Sequence, residues 1–281
     1  MAYELSLRRE AIEARWIGEG DWWQTEWKAV LREFRPDFIV NLTIVPRNAD
    51  KVLIKRYRKS LAQLAETSNA QGVPLLQISS VLVFDGDKSA PYLEGDAEAP
   101  YDVTGEICLS LEEAVATNAT RFIILRTASI FSSRGDNLLT QIIRFAEQRK
   151  TLVFDPSLAG CPTCANDIAR VIIAIVMQLH CGADPWGIYH YTSSDITSGY
   201  QFAEAVLAIA SQFDRELHLE QVKLEERAVE QPEQLQIDPV VVSCQKLLNT
   251  FGVKQRPWRS QLTTTVRNYF ESDADDGGLS T

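Results

Sequence analysis

Segments with the pattern of buried strands alternate along the chain with helical segments, and this alternation is the feature that most constrains the fold. Strands are predicted at residues 38–42, 75–79 and 122–125, and helices at 50–70 and 104–116 lie between them. Parallel strands need a long crossover connection, which is usually a helix. We therefore predict an α/β fold in which these three strands are central neighbours in a doubly wound parallel sheet.

The later part of the chain changes character and predicts a second region. Residues 1–150 are expected to form most of the sheet domain. Residues 151–270 are expected to form mainly a smaller lobe, interleaved with that domain, and residues 271–281 an acidic, glycine-rich, disordered tail.

The overall charge limits the classes of partner. The formal net charge is −10, with 38 acidic and 28 basic residues. Proteins that bind nucleic acids usually carry a basic face, so we expect no nucleic-acid partner. The basic stretch within residues 51–59 is interpreted as a solvated helix face. The longest apolar run is too short to span a bilayer and no signal-peptide pattern begins the chain, so no membrane association is expected.

The cysteines indicate a reducing compartment. There are five, an odd number, scattered through apolar segments, which predicts reduced thiols and a cytoplasmic location. Cys161 and Cys164 have the C-x-x-C spacing. No second pair accompanies them and the three histidines form no ligand pattern, so no metal site is predicted.

Five short motifs stand in order along the chain: QISSVLVFDG at residues 77–86, APYDVTG at 99–105, LRTASIF at 125–131, GCPT at 160–163 and RPWR at 256–259. Taken together in this order, they resemble those of the dTDP-4-dehydrorhamnose reductases, a family of extended short-chain dehydrogenases/reductases. The resemblance extends from about residue 35 to residue 270. It implies a Rossmann-like sheet and a smaller C-terminal lobe that binds the substrate.

The resemblance also implies where catalytic groups would lie. The family reduces a keto sugar with NADPH, using a tyrosine as proton donor, a lysine four residues later and a serine or threonine on the preceding strand. With Gly105 fixing the register, Ser80 keeps the serine position, whereas Thr104 and Cys108 replace the tyrosine and the lysine. A threonine hydroxyl is far less acidic than a phenol, and a cysteine brings no positive charge.

The front of the chain departs from the family pattern as well. A dinucleotide-binding fold begins with a strand and a glycine-rich turn that cradles the pyrophosphate. Nothing of this kind precedes Arg35; Gly18 and Gly20 are interpreted as a turn after residues 12–17, which resemble the second strand. We expect the first strand and its turn to be missing, either truncated or dispensed with. No cofactor is predicted with the chain as written; NADP or NAD is expected only if that motif exists.

The other candidates are weaker. Cofactor contacts are expected from Asn41, Leu42 and Ser79. Asn137, Pro162 and Thr163 match family positions near the nucleotide-sugar pocket, with functional and packing roles weighted equally. His190 is interpreted as a structural histidine that makes hydrogen bonds.

Two functions remain open at this point. The first is a catalytically degenerate relative that binds a nucleotide sugar or regulates another protein. The second is an active NAD(P)-dependent reductase or epimerase with an unrecognised proton donor. The Thr104 and Cys108 pair favours the first. A homo-oligomer or a protein partner is also expected, because a sheet without its central strand exposes an apolar edge.

Overall fold

The computed structural model describes residues 25–43, 49–148, 151–213, 223–226 and 236–276. The chain divides into two compact units. The first contains the described residues up to Thr127, with Ala169–Tyr191 and Val242–Lys254. The second contains the described residues of Ala128–Ile168, of Thr192–Val241 and from Gln255 onward.

The strands and helices are given in chain order. The strands are β1 (Ile39–Asn41), β2 (Leu75–Ser80), β3 (Phe122–Thr127), β4 (Ile130–Phe131), β5 (Leu152–Phe154), β6 (Ala159–Gly160), β7 (Thr163–Cys164), β8 (Gly187–His190), β9 (Thr197–Ser198) and β10 (Leu224–Glu226). The helices are α1 (Trp27–Phe34), α2 (Lys51–Gln71), α3 (Val103–Asn118), α4 (Leu138–Glu147), α5 (Ala165–His180), α6 (Gly199–Ala210), α7 (Gln245–Phe251) and α8 (Arg259–Asp276).

The first unit is built on a parallel sheet. Its strand order is β1-β2-β3-β8, and every neighbouring pair is parallel. Leu75 of β2 lies opposite Ile39 on one side and Phe122 on the other. The predicted α/β class and the three neighbouring strands are confirmed. β2 and β3 are buried along almost their whole length, as expected of parallel strands covered on both faces.

Local signals explain where the two helices beside this sheet begin and end. Asp50 caps α2 by accepting a hydrogen bond from the Leu53 amide at 2.7 Å, and Gly72 ends it in the left-handed conformation. Asp102 caps α3 in the same way. Apolar side chains of α2 and α3, among them Leu64 and Leu111, form one core cluster with Leu75 and Ile124 of the sheet.

The second unit has its own core. Buried side chains from α4, α6 and α8 surround Phe202, whose ring lies 5.3 Å from that of Phe131 and 5.2 Å from that of Trp258. The first boundary between the units falls after Thr127 rather than at residue 150. The reason is that β4 pairs with β7, and α4 packs its apolar face into this second core rather than onto the sheet.

Two further expectations concern the ends of the chain. The predicted tail began at residue 271, but α8 continues to Asp276, because helix propagation costs little once the packed turns have formed. Residues 277–281, the predicted strand at 12–17, and Gly18 and Gly20 lie outside the described residues. None of the helices in the described ranges combines the length and apolarity needed to span a bilayer.

Candidate ligand-binding site

The end of β2 carries the first of the predicted catalytic positions. Ser80 is half-buried and ends the strand, and a single turn of 3-10 helix, Val81–Val83, follows it. The Ser80 hydroxyl oxygen accepts a hydrogen bond from the Leu82 amide at 3.1 Å. This bond turns the chain away from the sheet immediately after Ser80.

The first turn of α3 lies directly against this 3-10 turn. The Tyr101 amide donates to the Leu82 carbonyl oxygen at 2.9 Å, and the Gly105 amide donates to the Asp102 carboxylate at 2.9 Å. A β-carbon on Gly105 would lie 2.0 Å from the Leu82 carbonyl oxygen. Only glycine fits there, so the register of α3 against the end of β2 is fixed.

Thr104 and Cys108 therefore occupy defined places. They are one turn apart on the same half-buried face of α3, on either side of the buried Ile107. Their side chains offer a hydroxyl and a thiol. Tyr101, whose residue is 42% exposed, is the nearest phenol in sequence, but it precedes the helix and is not on this face.

The predicted cofactor contacts make internal hydrogen bonds. The Asn41 amide nitrogen donates to Gln77 Oε1 at 2.7 Å, and its oxygen accepts from the Thr43 amide at 3.2 Å. Leu42 follows β1 and is half-buried, and the Ser79 hydroxyl donates to Glu112. In the described ranges no strand leads through a glycine-rich turn into a helix, and contacts of Asn41, Leu42 and Ser79 with a cofactor stay a prediction.

A buried ionic network includes Glu112, one turn after Cys108 on α3, and was not predicted. Arg126 is fully buried; its Nε donates to both Glu112 oxygens at 3.0 and 3.1 Å, and its Nη2 donates to Glu112 at 2.6 Å. The same Nη2 donates to Glu98 at 2.9 Å. Burial acts to lower the pKa of Arg126, but Glu112 and then Glu98 outweigh it and raise that pKa.

The sequence did carry a signal for this network. Glu112 stands between buried apolar residues of α3, and Arg126 interrupts the apolar run of β3. A charged residue at each of two buried positions suggests an ion pair, since isolated buried charges are strongly disfavoured. Neither residue is among the predicted site residues.

His190 lies beside this network. It is fully buried, and its ring meets that of Phe84 edge-on at 5.7 Å. Burial and then the charge of Arg126 lower its pKa to about 3, so the ring is neutral near pH 7. The backbones of Tyr92 and Ser243 flank the ring, but none of the described groups has hydrogen-bonding geometry to either ring nitrogen. His190 therefore packs as a neutral aromatic ring.

The three predicted sugar-pocket residues belong to the second unit. Asn137 caps α4, accepting hydrogen bonds from the Leu139 and Thr140 amides at 3.1 and 3.4 Å. Pro162 is buried. The Thr163 hydroxyl donates to the Cys161 carbonyl oxygen at 2.9 Å and accepts from the Ser193 amide at 3.1 Å. These contacts give Asn137 and Thr163 structural roles, and a ligand contact for all three stays a prediction.

The predicted chemistry of the cysteines can be compared with the structure. None of the five cysteines, Cys161 and Cys164 included, forms a disulfide. Within the described part of the chain, no cluster of three or more histidine, cysteine, aspartate or glutamate side chains could hold a metal ion.

Comparison with known proteins gives consistent matches. The family model of the RmlD substrate binding domain matches residues 19–270. A dTDP-4-dehydrorhamnose reductase of Sinorhizobium fredii is 31% identical over 246 residues, covering 84% of this chain and 81% of that protein.

Solved structures with this fold include two similar proteins. The crystal structure of a dTDP-4-dehydrorhamnose reductase from Clostridium acetobutylicum superposes with a TM-score of 0.77 at 21% identity, covering 95% of this chain and 94% of that one. The crystal structure of a dTDP-4-dehydrorhamnose reductase from Bacillus anthracis in complex with NADP gives a TM-score of 0.73 at 21% identity, covering 86% of this chain and 84% of that one. At this identity the two similarities establish the fold.

Proposed function

The chain belongs to the RmlD substrate binding domain family, and from this premise we propose that it binds a nucleotide sugar without reducing it through a tyrosine–lysine pair. The observation that carries the proposal is the register of α3. Gly105 is locked against the Leu82 carbonyl oxygen. This supports the alignment with the family in which Thr104 and Cys108 stand at the tyrosine and lysine positions.

The chemistry of these two side chains supports binding rather than turnover. A proton donor to a carbonyl oxygen works best when its pKa lies near the operating pH, and general acids typically contribute about 10²- to 10⁴-fold to a rate. The pKa of a threonine hydroxyl is far above neutral pH, so it is a poor proton donor. Cys108 cannot supply the fixed positive charge of a lysine, which would favour ionisation of a neighbouring phenol.

The Ser80 hydroxyl can still donate a hydrogen bond to a bound ligand. Its oxygen accepts a hydrogen bond from the Leu82 amide, and this contact leaves the hydroxyl hydrogen for donation. A half-buried hydroxyl at the carboxyl end of a parallel strand is suited to donate to a ligand oxygen, since ligands of α/β folds bind at that edge of the sheet.

Ligand screening tests the proposal. We expect dTDP- or UDP-linked sugars to raise the melting temperature and to bind in calorimetry, because a ligand that binds only the folded state stabilises it. Ser80→Ala should weaken that binding, whereas Ser157→Ala, on an exposed turn of the second unit, serves as a control. Absence of binding by every nucleotide sugar would remove the proposal.

The second candidate is an active reductase that uses a different proton donor. It is favoured by the similarity to the Sinorhizobium fredii reductase over most of the chain. Tyr101, with its exposed ring three residues before Thr104, is the phenol that such an enzyme would use. NADPH oxidation with a 4-keto nucleotide sugar, lost in Tyr101→Phe, would establish this candidate in place of the first.

A further inference from the structure

We propose that Glu112 is a positioning residue, whose buried carboxylate joins β2, β3 and α3 and so holds the Thr104–Cys108 face against the end of β2. The proposal deepens the proposed function, on which its ligand-affinity test rests. Its labelling test needs no ligand.

The contacts of Glu112 make it a junction between three elements. It accepts a hydrogen bond from the Ser79 hydroxyl of β2, and the Nε and Nη2 atoms of Arg126 donate to it from β3 at 2.6 to 3.1 Å. All three residues are buried, with exposures of 7% for Ser79, 3% for Glu112 and 0% for Arg126. The carboxylate is thus held by donors from both strands while its backbone belongs to α3.

The junction lies close in sequence to the candidate site on both sides. Glu112 follows Cys108 by one turn and Thr104 by two turns, so the three side chains project from one face of α3. Ser79 immediately precedes Ser80. A shift of Glu112 relative to Ser79 would therefore move Thr104 and Cys108 relative to Ser80.

Stability alone is a poor explanation for the pair. Desolvation of two buried charges offsets much of their attraction, and well-packed apolar residues in their place are often as stable or more stable. A bidentate, directional contact between a helix and a strand does restrict how the helix can slide or rotate. The geometry therefore fits a positioning role better than a contribution to stability.

Cys108 supplies a local probe of that position. In a Cys181→Ser background, which removes the exposed cysteine, the remaining thiols other than Cys108 are buried. The rate at which iodoacetamide labels Cys108 in the folded protein then measures how closely the Thr104–Cys108 face packs against the end of β2. We expect Glu112→Gln to raise this rate about tenfold, since it leaves a buried arginine partly unpaired and loosens the face.

Glu113→Gln is the matched control. Glu113 is the next residue of the same helix, but its side chain is 60% exposed and pairs with Arg58 at 3.6 Å on the surface. Exposed pairs of this kind contribute little, so the labelling rate should stay within about twofold of the parent rate.

A double variant separates position from stability. Glu112→Gln combined with Arg126→Met removes both buried charges, so its melting temperature should recover relative to Glu112→Gln alone. If Glu112 positions the face, Cys108 labelling stays fast and nucleotide-sugar affinity stays weakened about tenfold despite that recovery. Labelling and affinity that recover together with the melting temperature would overturn the proposal.

Two further outcomes also test the role of Glu112: a Glu112→Gln variant that does not fold, and a parent protein that binds no nucleotide sugar. If Glu112→Gln does not fold, Ser79→Ala removes one bond and keeps the ion pair, and we expect it to raise labelling about threefold. An unchanged rate in Ser79→Ala or in folded Glu112→Gln would refute the positioning role. If the parent protein binds no nucleotide sugar, the proposed function fails, while the labelling results still decide the role of Glu112.

Discussion

The carbonyl oxygen of Leu82 lies where a side chain on Gly105 would begin: a β-carbon there would be 2.0 Å from it. The same oxygen accepts the Tyr101 amide hydrogen at 2.9 Å, so it cannot move aside without breaking that bond. This close approach ties the start of α3 to the turn after Ser80. It makes Gly105 one of the residues that determine where Thr104 and Cys108 lie.

Gly105→Ala should therefore destabilise the first unit. Overpacking a buried site typically costs about 1–3 kcal/mol, and here the clash is with backbone rather than with a flexible side chain. Urea denaturation followed by circular dichroism measures the change in the free energy of unfolding. Gly95→Ala is the control, because a β-carbon there meets nothing within 4 Å. Equal stabilities of the two variants would contradict this account.

His190 predicts a dependence of stability on pH. Burial, followed by Arg126, lowers its folded-state pKa to about 3, whereas its ordinary value is 6.5. Between these values the unfolded chain binds a proton that the folded protein does not. Stability is therefore retained above pH 6.5 and lost as the pH falls, by about 1.4 kcal/mol per pH unit for one proton.

His190→Gln should remove that part of the pH dependence while lowering stability at pH 7. Denaturation curves at several pH values between 4 and 7 measure the slope for each protein. His180→Gln, on the exposed end of α5, is the control and should keep the parent slope. An unchanged slope in His190→Gln would show that this ring is protonated in the folded protein at mildly acidic pH.

The elements with local signals were predictable from the sequence. The α2 helix begins at the Asp50 cap and ends at Gly72, both of which are visible in the sequence. The strand prediction for β2 was correct because its side chains are buried on both faces. The resemblance supplied Gly105, and the structure adds the reason that a glycine is required there.

Features that depend on distant contacts were not predictable. The apolar residues Val81–Val83 look like a continued strand, but the Ser80 hydroxyl and the approach of Gly105 turn them into a 3-10 helix. Arg126 and Glu112 each place a charge among apolar residues, but they are 14 residues apart in different elements, so no periodicity shows that they pair with each other. The boundary between the two units after Thr127 likewise depends on a distant contact, because α4 packs into the core of the second unit.

The free edge of the sheet at β8 leads to a prediction about association. Within the described sheet β8 is a terminal strand. Lys246 Nζ donates to the Ile188 carbonyl oxygen at 2.7 Å, and Glu94 accepts from the His190 amide at 3.2 Å. These side chains occupy hydrogen-bonding groups that would otherwise be available to another strand.

The double variant Glu94→Ala with Lys246→Ala should therefore self-associate more readily. Both side chains also line a groove of about 590 Å³ that reaches Ile188 of β8. Light scattering of concentrated samples should show larger species that are absent from the parent. Glu66→Ala with Lys254→Ala, two exposed residues of the same unit, controls for the loss of one charge of each sign. Identical scattering by the double variant and the control would refute the protective role.

The last prediction concerns turnover. The unmodified protein should oxidise NADPH no faster than background with dTDP-4-dehydrorhamnose or related keto sugars, because Thr104 is a poor proton donor. Thr104→Tyr combined with Cys108→Lys restores the proton donor and the positive charge on a face whose register Gly105 already fixes. We expect this variant to remain inactive as well unless NADPH binds, because two side chains on α3 do not supply the phosphate contacts that a dinucleotide needs. Absorbance at 340 nm measures turnover, and titration of NADPH fluorescence shows separately whether the cofactor binds. Turnover by the unmodified protein that requires NADPH and is abolished by Ser80→Ala would establish an active reductase instead.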